Sequence, residues 1–265
     1  MESRVATSTA SPLAVLRPGP LTAYWQFQRA VAKAQLAEWL PARRGLLIDI
    51  SGAPAVPAQA AGAGHAVVRV VAAQPGSPAA AERRAPPGRV ADVVAEPGSL
   101  AFLTADCADG VIAEDGALSR HLMAEDLAAE IARVLRPGGE LLACVDSLVL
   151  GMALLAERRQ WAHLTDLPHA EVVLIPWPDG TITRCFGVAQ FYDLLTEAGL
   201  EVTSIRPRTV LSPSTVNHVL RKQPGAMARL VRAELQAGRD PAAGAGPDEA
   251  FGISLVATAR KPATA

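Results

Sequence analysis

Apolar positions recur along this chain in two rhythms. Short apolar runs read as buried strands at residues 46–50 (LLIDI), 65–71 (HAVVRVV), 108–115 (ADGVIAED), 140–147 (ELLACVDS), 201–208 (EVTSIRPR) and 251–262 (FGISLVATARKP), with a weaker one at 90–96 (VADVVAE). Between them lie segments with helical spacing. Residues 21–41 place Trp25, Ala32, Leu36 and Leu40 at near-helical intervals until Pro41 stops them. Residues 57–63 predict a short alanine-rich helix. Residues 124–139 put Leu127, Ile131, Val134 and Leu135 on one face and end at Pro137-Gly138-Gly139. Residues 148–164 predict an apolar helix, 187–200 another ending at Gly199, and 213–236 a helical stretch interrupted near Pro224-Gly225. The rhythm breaks at 170–186, which predicts two short strands joined by a turn at 178–180 (Pro-Asp-Gly).

Strands alternating with helices imply an α/β protein whose mostly parallel sheet is covered on both faces. Ligands of such sheets sit beyond the carboxyl ends of the strands. The loop after Asp49, the region of Glu96 and the pair Glu114-Asp115, distant in sequence, are thereby brought to one edge. Residues 1–20, rich in Ser, Thr, Ala and Pro, read as a flexible N-terminal arm, and 21–265 as a single domain.

Composition narrows the functional classes. The 265 residues are 50% hydrophobic, enough for one sizeable core, and the formal net charge is -1. With no basic excess and 4% aromatics, the chain has neither the charge to hold a nucleic-acid backbone nor the rings to stack bases. No apolar run is long enough to span a bilayer, and the N-terminus lacks the apolar stretch of a secretory signal. Cys107, Cys144 and Cys185 are scattered and show no paired spacing, which reads as reduced thiols in a cytoplasmic protein. His163, Asp166 and His169 follow no standard zinc spacing, so no metal is expected.

Three stretches resemble the class I S-adenosylmethionine (SAM)-dependent methyltransferases: residues 106–147 (DCADGVIAEDGALSRHLMAEDLAAEIARVLRPGGELLACVDS), 186–208 (FGVAQFYDLLTEAGLEVTSIRPR) and 251–262. They look like the family's fourth strand with its following helix and turn, its late helix and sixth strand, and its closing antiparallel strand. The likeness spans about residues 21–260. It implies a Rossmann-like, doubly wound, mostly parallel seven-stranded sheet with an antiparallel last strand, and a small hairpin and helical insertion at 147–186 covering the substrate side. It also implies SAM as cofactor and methyl transfer. With no basic groove, a small molecule outranks nucleic acid as the acceptor; no nucleic-acid or membrane partner is expected, and a homodimer is the candidate assembly.

The cofactor motifs depart from the family's pattern. Aligned on Asp49, the three loop glycines of the family fall at Ser51, Ala53 and Ala55, while Gly52 offers one position for positive φ. Pro54 stiffens the loop. Val71 stands where a ribose-binding acid is usual. Loss of a charged hydrogen bond costs roughly 1.5–3 kcal/mol, about tenfold to a hundredfold in affinity, and Gln74 is a candidate to compensate. The third-strand acid that often faces the adenine is matched by Glu96, next to Pro97, with Asp92 as an alternative. The resemblance thus assigns Asp49, Ser51, Gly52, Ala53, Glu96, Pro97 and Glu114 to the cofactor. It assigns Glu114, Asp115 and His121 to acid–base work. Each has a plainer reading. Asp49 would satisfy loop amides, Glu96 would be solvated, Glu114 and Asp115 would cap or ion-pair, and His121 would pack at the surface. Trp161 and Trp177 would line a substrate pocket or pack in the core, and Arg184, Arg206 and Arg208 would bind an anionic substrate or ion-pair. The departures also leave open a methyltransferase-like binding or regulatory protein without transferase activity, or one performing non-methylating chemistry.

Overall fold

The computed structural model describes residues 22–72, 90–95, 98–166, 172–177, 180–238 and 252–263. The elements run α1 (Thr22–Trp39), β1 (Leu46–Asp49), α2 (Ala55–Gly62), β2 (Ala66–Ala72), β3 (Val90–Ala95), β4 (Ala108–Ala113), α3 (Ala124–Val134), β5 (Leu135–Asp146), α4 (Leu148–Glu157), α5 (Trp161–Asp166), β6 (Val173–Pro176), β7 (Ile182–Cys185), α6 (Val188–Glu197), β8 (Glu201–Arg208), α7 (Pro213–Lys222), α8 (Met227–Ala237) and β9 (Ser254–Arg260). Seven strands form one sheet in the order β3-β2-β1-β4-β5-β9-β8. All are parallel except β9, which runs antiparallel between β5 and β8. The expected Rossmann-like, doubly wound architecture with its reversed last strand is therefore present.

Burial on both faces explains why the central strands read as continuous apolar runs. Ile48, Val111, Leu141, Ala143 and Ala257 pack on one side in a cluster with Leu127 and Ile131 of α3 and Phe191 and Leu194 of α6. Leu47, Ile112, Leu142 and Val256 pack on the other with Leu36 of α1 and Ala60 of α2. The chain builds outward from β1 to β2 and β3, then crosses back to start β4 on the other side of β1. The switch point between β1 and β4 is where a doubly wound sheet opens a crevice.

Two local expectations are corrected and one is extended. The inward face of α1 includes the buried Tyr24, Phe27 and Val31 beside Leu36 and the partly buried Trp25, with the partly buried Leu40 just past its end. Its first half docks on Val216 and Leu220 of α7 and on Leu230 of α8. Residues 148–164 form two helices, because Arg159 adopts φ 57 and breaks the run. The stretch 136–139, read as a helix-ending turn, bulges from the start of β5: Leu135 pairs with Ala108 and Glu140 with Gly110. Gly139 is obligatory there, since a Cβ would lie 2.9 Å from the Arg136 carbonyl oxygen.

The 170–186 segment holds the expected antiparallel pair, β6 with β7. Its buried side chains Val173, Ile175 and Cys185 pack with Leu155 of α4. Ser147 caps α4 by accepting a hydrogen bond from the Leu150 amide at 3.3 Å. Arg184 donates its amide to the Ser119 carbonyl at 2.8 Å, fastening the hairpin to the loop after β4. Among the described residues no helix is long and apolar enough to cross a membrane.

Candidate functional site

The carboxyl ends of β1, β4, β5 and β8 share one edge, and acids stand at or just beyond three of them. Asp49 ends β1 with 0% exposure. Its Oδ1 accepts the Ser51 amide at 3.0 Å, and Ser51 Oγ accepts the Ala53 amide at 3.1 Å. Ser51 at the first glycine position is thus used as a turn-forming hydroxyl rather than merely tolerated. Gly52 has φ 73 and supplies the loop's left-handed position, and Pro54 opens α2 in helical conformation. The second carboxylate oxygen, Asp49 Oδ2, is buried without a hydrogen-bond partner. Burial pushes the Asp49 carboxyl up to about 6, against the pull of Ser51 and Arg69, with Glu114 adding to the rise.

Glu114 follows β4 and is buried, but it is not free. Arg208 at the end of β8 grips it through two parallel bonds of 2.7 Å, Nη1 to Oε2 and Nη2 to Oε1. Arg208 also donates Nε to Gln35 Oε1 of α1 at 2.6 Å and Nη1 to Cys144 Sγ at 3.4 Å. Burial acts to lower the Arg208 pKa, but the charges and hydrogen bonds of its neighbours, Glu114 foremost, leave it raised. The expected roles of Glu114 as cofactor ligand and base thus meet a carboxylate whose two oxygens both bind Arg208, and Arg208 itself is an ion-pair partner with 2% exposure.

Asp115 adopts φ 57 and Gly116 φ 68, folding the next residues back over the edge. That return places Arg120 across the crevice. Its Nη2 donates to the Ser51 carbonyl at 3.2 Å, its Nη1 donates to the Asp115 carbonyl, and Nη1 lies 3.8 Å from Asp115 Oδ2. Asp146, at the end of β5, completes the edge. Its amide donates to Ser119 Oγ at 2.8 Å, and burial pushes its carboxyl up to about 7, opposed by Arg120 and reinforced by Asp115. Neither Arg120 nor Asp146 is among the residues that the sequence singles out. The signal for Asp146 was present, since LLACVD ends in an acid just as LLID does.

His121 lies against the loop after β3. Its imidazole packs over Gly98, and burial lowers its pKa against the pull of Asp126. A Cβ at Gly98, which has φ 81, would overlap the ring. Gly98→Ala is expected to expel the imidazole and destabilise the fold by about 1–3 kcal/mol. The check is the His121 titration by NMR, which should return toward the ordinary histidine value in the variant.

Glu96, Pro97, Gln74, His169 and the 178–179 part of the hairpin turn lie outside the described residues, as do the arm 1–20 and residues 239–251. Asp92, the alternative to Glu96, is exposed on β3, 3.9 Å from Arg69. Val71 pairs with Val94 of the edge strand β3, near the carboxyl end of β2. Trp161 is 60% exposed, whereas Trp177 donates Nε1 to Thr183 Oγ1 at 2.9 Å beneath the Arg158 guanidinium. Arg184 pairs with Glu125 at 2.7 Å and stacks on Phe186. Cys144 and Cys185 are buried with raised thiol pKa values, Cys144 to about 12, and are unreactive by that measure.

No family model matches the sequence, and no curated protein matches it. Solved structures do match. The 1,6-didemethyltoxoflavin-N1-methyltransferase of Burkholderia thailandensis, solved with 1,6-didemethyltoxoflavin and S-adenosylhomocysteine bound, is 19% identical at a TM-score of 0.54, covering 90% of this chain and 81% of its own. A SAM-dependent methyltransferase from Mesorhizobium loti is 14% identical at 0.53, covering 89% and 100%. The [4+2]-cyclase SpnF is 20% identical at 0.51, covering 89% and 81%. This chain therefore has the fold of the class I SAM-dependent methyltransferases, a fold that one of these neighbours uses for a cyclisation.

Proposed function

We propose that the protein binds SAM in the crevice between β1 and β4 and transfers its methyl group to a small molecule. The observation that carries this reading is Asp49 Oδ2, a buried carboxylate oxygen with no partner, beside a loop of small residues at the sheet's switch point. An orphaned acid in that place suits a cation. SAM carries an ammonium and a sulfonium, and it would supply an electrophilic methyl group. Asp49 and the small loop Ser51-Gly52-Ala53 would hold its methionine end, and Glu96 and Pro97 its adenosine end. The small unit of α4, β6 and β7 would cover the acceptor. Asp146, with a carboxyl near neutrality, is a better proton acceptor at this edge than Glu114, both of whose oxygens bind Arg208. Aligning acceptor and methyl donor would supply much of the remaining rate enhancement. The near-balanced charge favours a small-molecule acceptor over nucleic acid.

The test is calorimetric titration with SAM and S-adenosylhomocysteine. Asp49→Asn keeps an acceptor for the Ser51 amide but loses the charge, and is expected to weaken binding about tenfold to a hundredfold. A cationic ligand favours ionised Asp49, so wild-type affinity should rise as pH climbs through about 6, and the variant should lose that component of the rise. Folded protein that gives no heat at millimolar ligand would sink the proposal. A second reading, a ligand-binding protein without transferase activity, draws on the Glu114–Arg208 pair and on Val71 at the ribose position. Ligand that copurifies, identified by mass spectrometry, with no methyl transfer to any acceptor tried, would favour it.

A further inference from the structure

The loop after β4 closes on the crevice with a positive charge where the proposed cofactor would bring its own. We infer that Arg120 is an internal competitor for the ammonium of the cofactor and thereby sets the affinity and ligand selectivity of the site; this rests on the functional reading above. Two main-chain carbonyls converge at the mouth of the crevice, that of Ser51 from the loop after β1 and that of Asp115 from the end of β4. The Arg120 guanidinium donates to both, and Asp115 Oδ2 lies 3.8 Å from Nη1. A ligand's ammonium bound between these two loops would need the same acceptors.

The position is built rather than incidental. Asp115 and Gly116 take consecutive left-handed conformations, and the Arg120 amide closes the turn onto the Gly116 carbonyl at 3.0 Å. Ser119 locks the turn to β5 through the Asp146 amide. A Cβ at Gly116 would stand 3.6 Å from Arg120 Nη1 and 3.4 Å from Asp146 Oδ2, so the turn brings these groups within one residue's width of each other. A Cβ at Gly52 would have Arg120 Nη2 as its near neighbour, at 4.0 Å. The guanidinium thus lies over the part of the loop meant to admit a ligand. The side chain retains 20% exposure, so it has a route outward. A ligand ammonium binds by taking over the carbonyls, and the measured affinity is the difference between the two cations.

The test compares wild type, Arg120→Ala and Arg120→Gln by calorimetry, with two probes: S-adenosylhomocysteine, which carries the ammonium, and 5′-methylthioadenosine, which lacks it. Both variants are expected to bind S-adenosylhomocysteine at least tenfold more tightly than wild type and to leave methylthioadenosine within about twofold. Arg120→Gln keeps a polar side chain of similar reach without the charge, so a gain in it answers for the charge even if Arg120→Ala proves unstable. Unchanged or weaker S-adenosylhomocysteine binding in both folded variants would overturn the inference alone. An equal gain for both probes would also overturn it, because it would mean general opening of the crevice. No binding by wild type or variants would overturn the functional reading and this inference together.

Discussion

Arg208→Ala is expected to lower the free energy of unfolding by about 3–5 kcal/mol, the loss typical of a broken buried ion pair. Both partners of the pair are almost wholly buried, and the guanidinium satisfies Glu114, Gln35 and Cys144 at once. Truncation leaves a carboxylate stranded at the end of β4 and an amide stranded on α1. Urea unfolding should show a lower midpoint at unchanged slope. Arg208→Lys should recover little, because an ammonium cannot make the paired, parallel contacts. The double change Glu114→Leu with Arg208→Met should recover most of the loss, since removing both charges also removes their desolvation cost. A loss under about 1 kcal/mol for Arg208→Ala would mean that Glu114 is satisfied in another way, and would return it to the set of candidate bases.

Arg208 also shows where reading the chain alone fell short. The strands were legible because the central ones are buried on both faces and must be apolar throughout. LLID, ADGVIA and ELLACVD allow little else, and α3 announced itself through Leu127 and Ile131 on one face. The order of the sheet followed from that alternation and from the likeness of three stretches to a known fold. What stayed hidden was pairing across the sheet. IRPR at the end of β8 reads as solvated or ion-paired charge, and nothing in it says that the partner is Glu114, 94 positions earlier. The inward face of α1 is only partly legible for a related reason. Its partner over the first half is the α7–α8 pair, and spacing says which residues share a face but not which elements cover it. Ser51 reads as a glycine substitute because its hydroxyl bond to the Ala53 amide exists only once the turn is formed. Arg120 goes unmarked in the sequence because its place depends on the left-handed backbone at Asp115, a conformation that a non-glycine residue rarely advertises.

Asp146→Asn should make the protein more stable at pH 8 than the wild type, by up to about 4 kcal/mol, and change little near pH 4. The sign follows from the raised pKa. The carboxyl titrates in the ordinary aspartate range, near 4, when the chain is unfolded and at about 7 when it is folded. Between those values the folded state holds a proton that the unfolded state has released, so stability falls as pH rises through the window and the whole penalty is present above about 7. Asp49, raised to about 6, acts in the same direction, so the wild type should weaken measurably from pH 5 to pH 8 and the variant should lose only the part due to Asp146. Urea unfolding at the two pH values measures both. If Asp146→Asn is instead less stable at pH 8, then Arg120 overcomes the desolvation and the carboxyl is ionised in the fold. The energy at stake bears on function. A carboxyl kept partly protonated by burial, at the edge where an acceptor would lie, is poised to exchange a proton near neutrality, and a site so destabilised is one the fold carries at a loss unless a bound ligand repays it.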